Sequence, residues 1–295
     1  MKIPITYFIV VLIWSTTPLG IIWSSETVSP MMAVFLRMLL ATIIGTLFLV
    51  FMRIRLPVHK QAIKLYSYST IGIFGGMIFG YLASRHISSG LMSLIFGLSP
   101  IISGLIAQKI LNEPKFSALR WFAFSISLTG LAIVSWHNIQ TGSSEWLGIT
   151  FVLLAMLFFS LSSVLVKSVE INIHPFATTL GALYLSVPLF FMSWVLLDGQ
   201  LNIDQWSIRS ISAIIYLGVF GSLIGFMAYF YILQKLKATT VALITLITPT
   251  IAISLGAIVN NEPVSQNVII GATFVIAGLA VYQIDNKGIF NKTQG

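Results

Sequence analysis

The sequence predicts an all-α membrane protein: ten transmembrane helices arranged as two inverted five-helix repeats, with both termini on the inner side. Three observations carry that prediction. The composition is too apolar for water, ten hydrophobic runs have membrane-spanning length, and the second half repeats landmarks of the first.

Of 295 residues, 57% are hydrophobic and 8% charged, against about 25% charged in an ordinary soluble chain. A water-soluble fold of this length would expose apolar area well beyond the roughly 300–600 Å² of the largest patch on a typical monomer. The formal charge of +8 would suggest nucleic acid in a soluble protein. Here the basic residues fall in short loops between apolar runs, so they read as topology signals and no nucleic acid is expected. There is no cysteine, which removes disulfides and thiolate metal sites.

A spanning helix needs about 20 mainly apolar residues, and the runs lie at about 3–23, 30–52, 66–84, 88–108, 117–136, 146–168, 175–197, 209–233, 238–259 and 266–284. The first run follows Lys2 as a secretory signal would, but no small-x-small cleavage site follows it, and it is kept as a span. Helices are expected because every backbone N–H and C=O in lipid must bond within its own segment.

Orientation follows from Lys and Arg. With the N-terminus inside, the inner segments carry Lys2, Arg53, Arg55, Lys60, Lys64, Lys109, Lys115, Arg120, Lys167, Lys235, Lys237, Lys287 and Lys292. The outer loops carry Arg85 and Arg209, and Arg37 lies within a span. A bias of thirteen to two predicts N-in and C-in, with multi-pass insertion in a bacterial inner membrane.

The halves, 1–142 and 143–295, share landmarks. Leu111-Asn112-Glu113-Pro114 matches Asn260-Asn261-Glu262-Pro263, and a proline stands thirteen residues before each Glu, at Pro100 and Pro249. Gly72 and Gly75 match Gly218 and Gly221, and Ser29-Pro30 matches His174-Pro175. Five helices per repeat force the second copy to insert upside down. Such inverted repeats are a recurrent transporter device, with the substrate near the midplane.

These residues resemble the ten-helix EamA branch of the drug/metabolite transporter superfamily. That family's repeat opens with Trp and a small residue, then Lys, then Pro with Arg seven residues later. The first half has Trp14-Ser15, Pro30 and Arg37; the second has Phe159-Ser160, Lys167 and Pro175. The family's Glu matches Glu113 and Glu262, and its small residues in the last helix of each repeat match Gly130 and Gly278. The sequence departs from the family at Ile22, where Lys is common, and at Ala182, the counterpart of Arg37. The resemblance implies a secondary transporter that exports small organic metabolites, amino acids or their relatives, by alternating access. A drug or vitamin carrier, or a lipid-handling flippase-type protein, is the alternative.

Candidate site residues come from polar or aromatic positions inside spans. Arg37 lies about 10 Å below the end of its span by helical rise. It reads as a contact for a substrate carboxylate or phosphate, as a brace on carbonyls of a broken helix, or as a side chain snorkelling toward Glu26. Trp14, Ser15 and Thr16 precede Pro18, which is expected to interrupt span one. Phe159 and Ser160 are their counterparts, so the two sets read as facing cavity walls or as hydroxyls bonded to their own helices. Tyr81, Phe96, Ser99, Thr245 and Thr248 add polar or aromatic contacts. Pro18, Pro100 and Pro249 are candidate hinges. Small residues at Gly72, Gly76 and Gly80 read as helix packing. Spans five and ten are expected to pack together or to mediate a homodimer.

Asn112-Glu113-Pro114 and Asn261-Glu262-Pro263 read as N-terminal caps of the helices that follow. His59, His86, His137 and His174 show no metal-ligand spacing, and no carboxylate pair or Ser-His-Asp set lies at membrane depth. No enzymatic activity, metal or cofactor is expected; the expected partners are a small-molecule substrate and membrane lipids.

Overall fold

A computed structural model describes residues 3–140, 144–236, 241 and 244–292; Lys2 and Lys237 lie outside that set. Hydrophobic runs become helical rods wherever the backbone has no other partner. The first two are α1 (Ile3–Ser24) and α2 (Pro30–Phe51). Next come α3 (Lys60–Thr70), a π-helical segment Ile71–Gly76 and α4 (Met77–Ala83), then α5 (Ser89–Phe96) and α6 (Ser99–Ile110). They are followed by α7 (Ala118–Gln140), α8 (Glu145–Lys167) and α9 (Pro175–Leu197). A 3₁₀ turn at Ile203–Gln205 leads to α10 (Ile208–Tyr216), a second π-helical segment Leu217–Ile224 and α11 (Gly225–Lys235). The last helices are α12 (Ile244–Asn260) and α13 (Gln266–Lys292).

Among the described residues, 8 helical stretches are long and apolar enough to cross a membrane, and α12 is a shorter apolar helix. The 60–83 rod, expected as a span from residue 66, begins earlier and is more polar because Lys60, Lys64, Tyr66 and Tyr68 occupy its first three turns. Large apolar side chains face outward along the rods, among them Phe51, Leu196, Ile208 and Ile258. Such a surface is suited to lipid and not to water.

Local chemistry sets the helix boundaries. Ser29 Oγ accepts from Met32 N–H ahead of Pro30, and His174 Nδ1 accepts from Phe176 N–H ahead of Pro175. Both are N-caps followed by proline at the first helical position, where its missing N–H costs nothing. The Asn-Glu-Pro motifs do a different job from the one expected. Asn112 and Asn261 take the left-handed conformation, φ 53° and 51°, and the next N–H reaches back six residues, Glu113 to Ala107 O at 3.4 Å and Glu262 to Gly256 O at 3.0 Å. These are C-terminal closures of α6 and α12. The following helices start only at Ala118 and Gln266, too far on for Asn to cap them.

Pro18 does not interrupt span one either, since α1 runs through it from Ile3 to Ser24. Thr17 Oγ1 donates to Ile13 O at 2.7 Å one turn before it. The fourth rod is the broken one. It turns at Gly97 and Leu98, between α5 and α6, and Pro100 sits in the first turn of α6. Pro249 instead lies inside α12.

Packing recurs between the halves. α1 lies against α10, the second π segment and α11, as α8 lies against α3, the first π segment and α4. α1 packs on α12 as α8 packs on α6; α2 packs on α9, α5 on α12, and α7 along α13. The α7–α13 contact is close: a Cβ on Gly130 would meet Gly271 O at 2.5 Å, and one on Gly278 would run into Ser127 Oγ. Spans five and ten therefore pair within one chain. Of the three glycines read as packing, Gly72 and Gly76 do face Ser162 and Phe159, whereas Gly80 faces open space.

Candidate functional site

The deepest charge in the bundle is Arg37. Seven residues into α2, it is 1% exposed. Its Nε donates to Ser222 Oγ at 2.7 Å, and its guanidinium lies 6.0 Å from the centre of the Tyr81 ring. Room for it is made by the second π segment, where a Cβ on Gly221 would stand 3.0 Å from Nη2. A π-helical turn carries an extra residue and often marks functional sites; here Gly225 N–H reaches Phe220 O, five residues back.

Among the described residues, no acidic side chain pairs with Arg37. Glu26, the expected snorkelling partner, pairs with Arg209 at 3.3 Å instead. Nη1 is buried with no hydrogen-bond partner among the described residues. A buried cation so poorly paired is costly in a low-dielectric interior. Tyr81 is fully buried beside it and accepts a long hydrogen bond from Ser24 Oγ, 3.4 Å.

A second, neutral cluster joins four rods. The Trp14 ring packs on Tyr229 with centroids 5.0 Å apart. Tyr229 hydrogen-bonds with Ser163, whose Oγ lies 3.5 Å from Ser103 Oγ. One turn away, Ser160 Oγ donates to Ser99 O at 3.3 Å beside the break in the fourth rod. Phe96 and Phe159 meet edge to face at 5.8 Å. Phe159 and Ser160 thus lie against Phe96 and Ser99, and Trp14 joins them through Tyr229 and Ser163.

Hydroxyls on α1 behave mostly as local ties. Ser15 Oγ donates to Val11 O at 2.7 Å, and Thr16 Oγ1 reaches Ile13 O at 2.9 Å. Thr16 also meets Tyr216 OH at 2.6 Å, across to α10. Thr245 and Thr248 lie on α12, half-buried and buried respectively. Beside Thr248, Pro249 faces the fourth-rod break, with its Cγ 3.4 Å from where a Gly97 Cβ would stand.

Ser222, Tyr216 and Tyr229 were not expected. All three lie on the eighth rod, whose glycines dominate its pattern. The available signal was Ser222, the hydroxyl that directly follows the matched Gly221.

Two cavities lie at the ends of the bundle. One of about 450 Å³ is lined by Asn172, His174, Tyr231, Gln234 and Lys235 among others. The other, about 190 Å³, is lined by Glu26, Ser29, Arg85, Asp198, Asn202 and Trp206 among others. Each sits where the loop before a Pro-initiated helix meets the end of the rod that packs nearby.

An apolar multi-helix bundle with buried polar clusters between its rods, and no strand among the described residues, defines a multi-pass membrane protein. The chain belongs to the EamA-like transporter family, which matches residues 1–136 and 146–283. It is 24% identical over 286 residues to an uncharacterized transporter of Archaeoglobus fulgidus, covering 95% of this chain and 98% of that one. It is 27% identical to protein PagO of Salmonella typhimurium, covering 90% and 88% of the two chains. It is 22% identical to the uncharacterized inner membrane transporter YedA of Escherichia coli, covering 88% and 83%. A solved crystal structure shares the fold with a TM-score of 0.68 over 97% of both chains at 15% identity. The protein is a membrane transporter in class.

Proposed function

We propose that this transporter is a secondary carrier that exports small organic metabolites, amino acids or related compounds, by rocking two inverted five-helix repeats about a central site. In this reading the ten rods span an inner membrane with both termini inside, as the thirteen-to-two distribution of Lys and Arg favours. The observation that carries it is the matched packing of the halves: the contacts of α1 with the eighth and ninth rods have counterparts in those of α8 with the third and fourth, and α2–α9, α5–α12 and α7–α13 join equivalent rods. Twin π segments and twin left-handed Asn closures fall on equivalent positions. A site between such repeats can face either side by nearly the same motion.

The substrate is placed between the Arg37 cluster and the Trp14–Tyr229–Ser163 cluster, with Thr245 and Thr248 on the α12 wall. Arg37 supplies a donor to a carboxylate, and the unpartnered Nη1 supports that role. The broken fourth rod and Pro249 supply the bend.

Counterflow in proteoliposomes tests this. Vesicles loaded with an unlabelled amino acid, vitamin, nucleoside, phosphorylated compound or lipophilic cation are given the matching labelled solute. Trans-stimulated uptake of amino acids supports the proposal, and stimulation by cations or vitamins alone would move it to a drug or vitamin carrier. No stimulation by any solute, with fluorescent-lipid scrambling or flipping present, would replace it with lipid handling.

A further inference from the structure

At one end of the bundle a single carboxylate ties three rods together. Glu262 stands two residues beyond α12, where the left-handed Asn261 turns the chain back on itself. Its Oε2 accepts from Ser89 Oγ at 2.9 Å and Gly90 N–H at 3.4 Å. Its Oε1 accepts from Ser89 N–H at 3.2 Å and from Asn260 Nδ2 at 3.0 Å. Asn260 in turn accepts the Trp23 indole N–H at 2.8 Å. The ends of α1, α5 and α12 therefore converge on one anion, which also faces the N-terminal N–H groups of α5.

The surrounding sequence is built for that approach. A Cβ on Gly256 would collide with Glu262 Oε2 and stand 2.8 Å from Ser89 Oγ. A Cβ on Gly90 would press to 2.9 Å on Ile253. Ser89 is fully buried and Glu262 half-buried.

The matching carboxylate at the other end differs. Glu113 follows the same left-handed Asn closure, yet it is exposed, and its carboxylate makes no hydrogen bond among the described residues. The fourth and ninth rods meet through α5, at the Glu262 end, whereas α6, at the Glu113 end, packs on α8.

We infer that Glu262 is the latch that holds this end of the carrier closed, and that releasing its bonds to Ser89 and Gly90 is the step that opens it. The inference rests on the alternating-access reading above. Charge-assisted bonds from both a hydroxyl and helix-end amides make the closed state depend on one side chain. They break together when α12 and α5 part.

The natural chain has no cysteine, so spin labels can be placed on Cys at Arg85 and Val259, flanking the latch. Electron–electron distance measurements in nanodiscs should give wild-type protein a main short distance and a minor long one. Glu262→Gln should enlarge the long-distance population at least about fivefold, as expected for loss of a charge-assisted network. Ser89→Ala should shift it the same way by about twofold, which covers the case of a Glu262→Gln protein that does not fold. Glu113→Gln should leave this pair unchanged. Two wild-type distances that neither latch variant alters, even with a lowered melting temperature, would reduce Glu262 to a helix cap and overturn the latch alone. A single distance in wild type and variants would overturn alternating access together with it.

Discussion

The second and seventh rods make equivalent contacts with opposite chemistry. On α2, Arg37 donates to Ser222 in the second π segment, and its backbone carbonyl sits 3.2 Å from where a Gly218 Cβ would stand. On α9 the same position is Ala182, fully buried, whose carbonyl accepts from Thr70 Oγ1 at 3.2 Å just before the first π segment. One contact is held around a buried cation and the other by a neutral hydroxyl. The difference teaches that this junction does not need a charge to stay together. That favours the proposed reading of Arg37 as a substrate contact over a brace, and in that reading the asymmetry between the halves is where substrate preference enters.

The largest expected effect comes from forcing the neutral side to resemble the charged one. Ala182→Arg buries a cation with no partner prepared for it, at a cost of several kcal/mol, and should abolish recovery of folded, monodisperse protein in size-exclusion chromatography. The reverse change sharpens the comparison. Arg37→Ala should cut trans-stimulated uptake of carboxylate-bearing substrates by about 100-fold. It should move the melting temperature by no more than about 3 °C, the size of a ~1 kcal/mol change. If Arg37→Ala instead melted far lower, the brace would be restored as its role.

The neutral cluster offers a milder test of the same twofold relation. Trp14 and Phe159 occupy matching positions but find different partners, Tyr229 and Phe96. Tyr229→Phe removes the hydroxyl that reaches Ser163 and should cost about 1 kcal/mol in thermal unfolding, while leaving the ring contact in place. The smallest effects belong to the twin closures. Asn112→Gly and Asn261→Gly should each change stability by only a few tenths of a kcal/mol, because glycine accepts the left-handed φ freely. Asn261→Val should cost about 1–2 kcal/mol. Equal losses in the glycine and valine variants would show that the Asn side chains, not the backbone turn, do the work.

Much of the scaffold was legible in the sequence, because spanning length and lipid-facing surface are properties of a single run of residues. The Ser29-Pro30 and His174-Pro175 starts were legible for the same reason, since a cap acts within four residues. The π segments were not: they arise where Gly72, Gly75, Gly218 and Gly221 let Ser162, Phe158, Leu40 and Arg37 press in, and hydropathy does not encode that. The Asn-Glu-Pro motifs were misassigned because Asn suits both a helix start and a left-handed helix end. Only the distance to the next helix decides between them. Pro18 misled in the opposite way: the helix absorbs it, while the true break falls at Gly97-Leu98 just ahead of Pro100. Within the site, Arg37 and Trp14 announced themselves by type, but Ser222 lies 185 residues from Arg37 and Tyr229 is no nearer to Trp14. Partners of that kind become visible only once the rods are packed.

Opposite insertion of the two halves is the claim on which the rest depends, and single-cysteine labelling tests it most directly. Lys115→Cys and Val264→Cys place one thiol just after each Glu-Pro pair in an otherwise cysteine-free chain, and both positions are exposed. With a membrane-impermeant maleimide on intact cells, the account predicts that the position 264 thiol labels at once and the position 115 thiol only after permeabilisation. Labelling of both from the same side would contradict it.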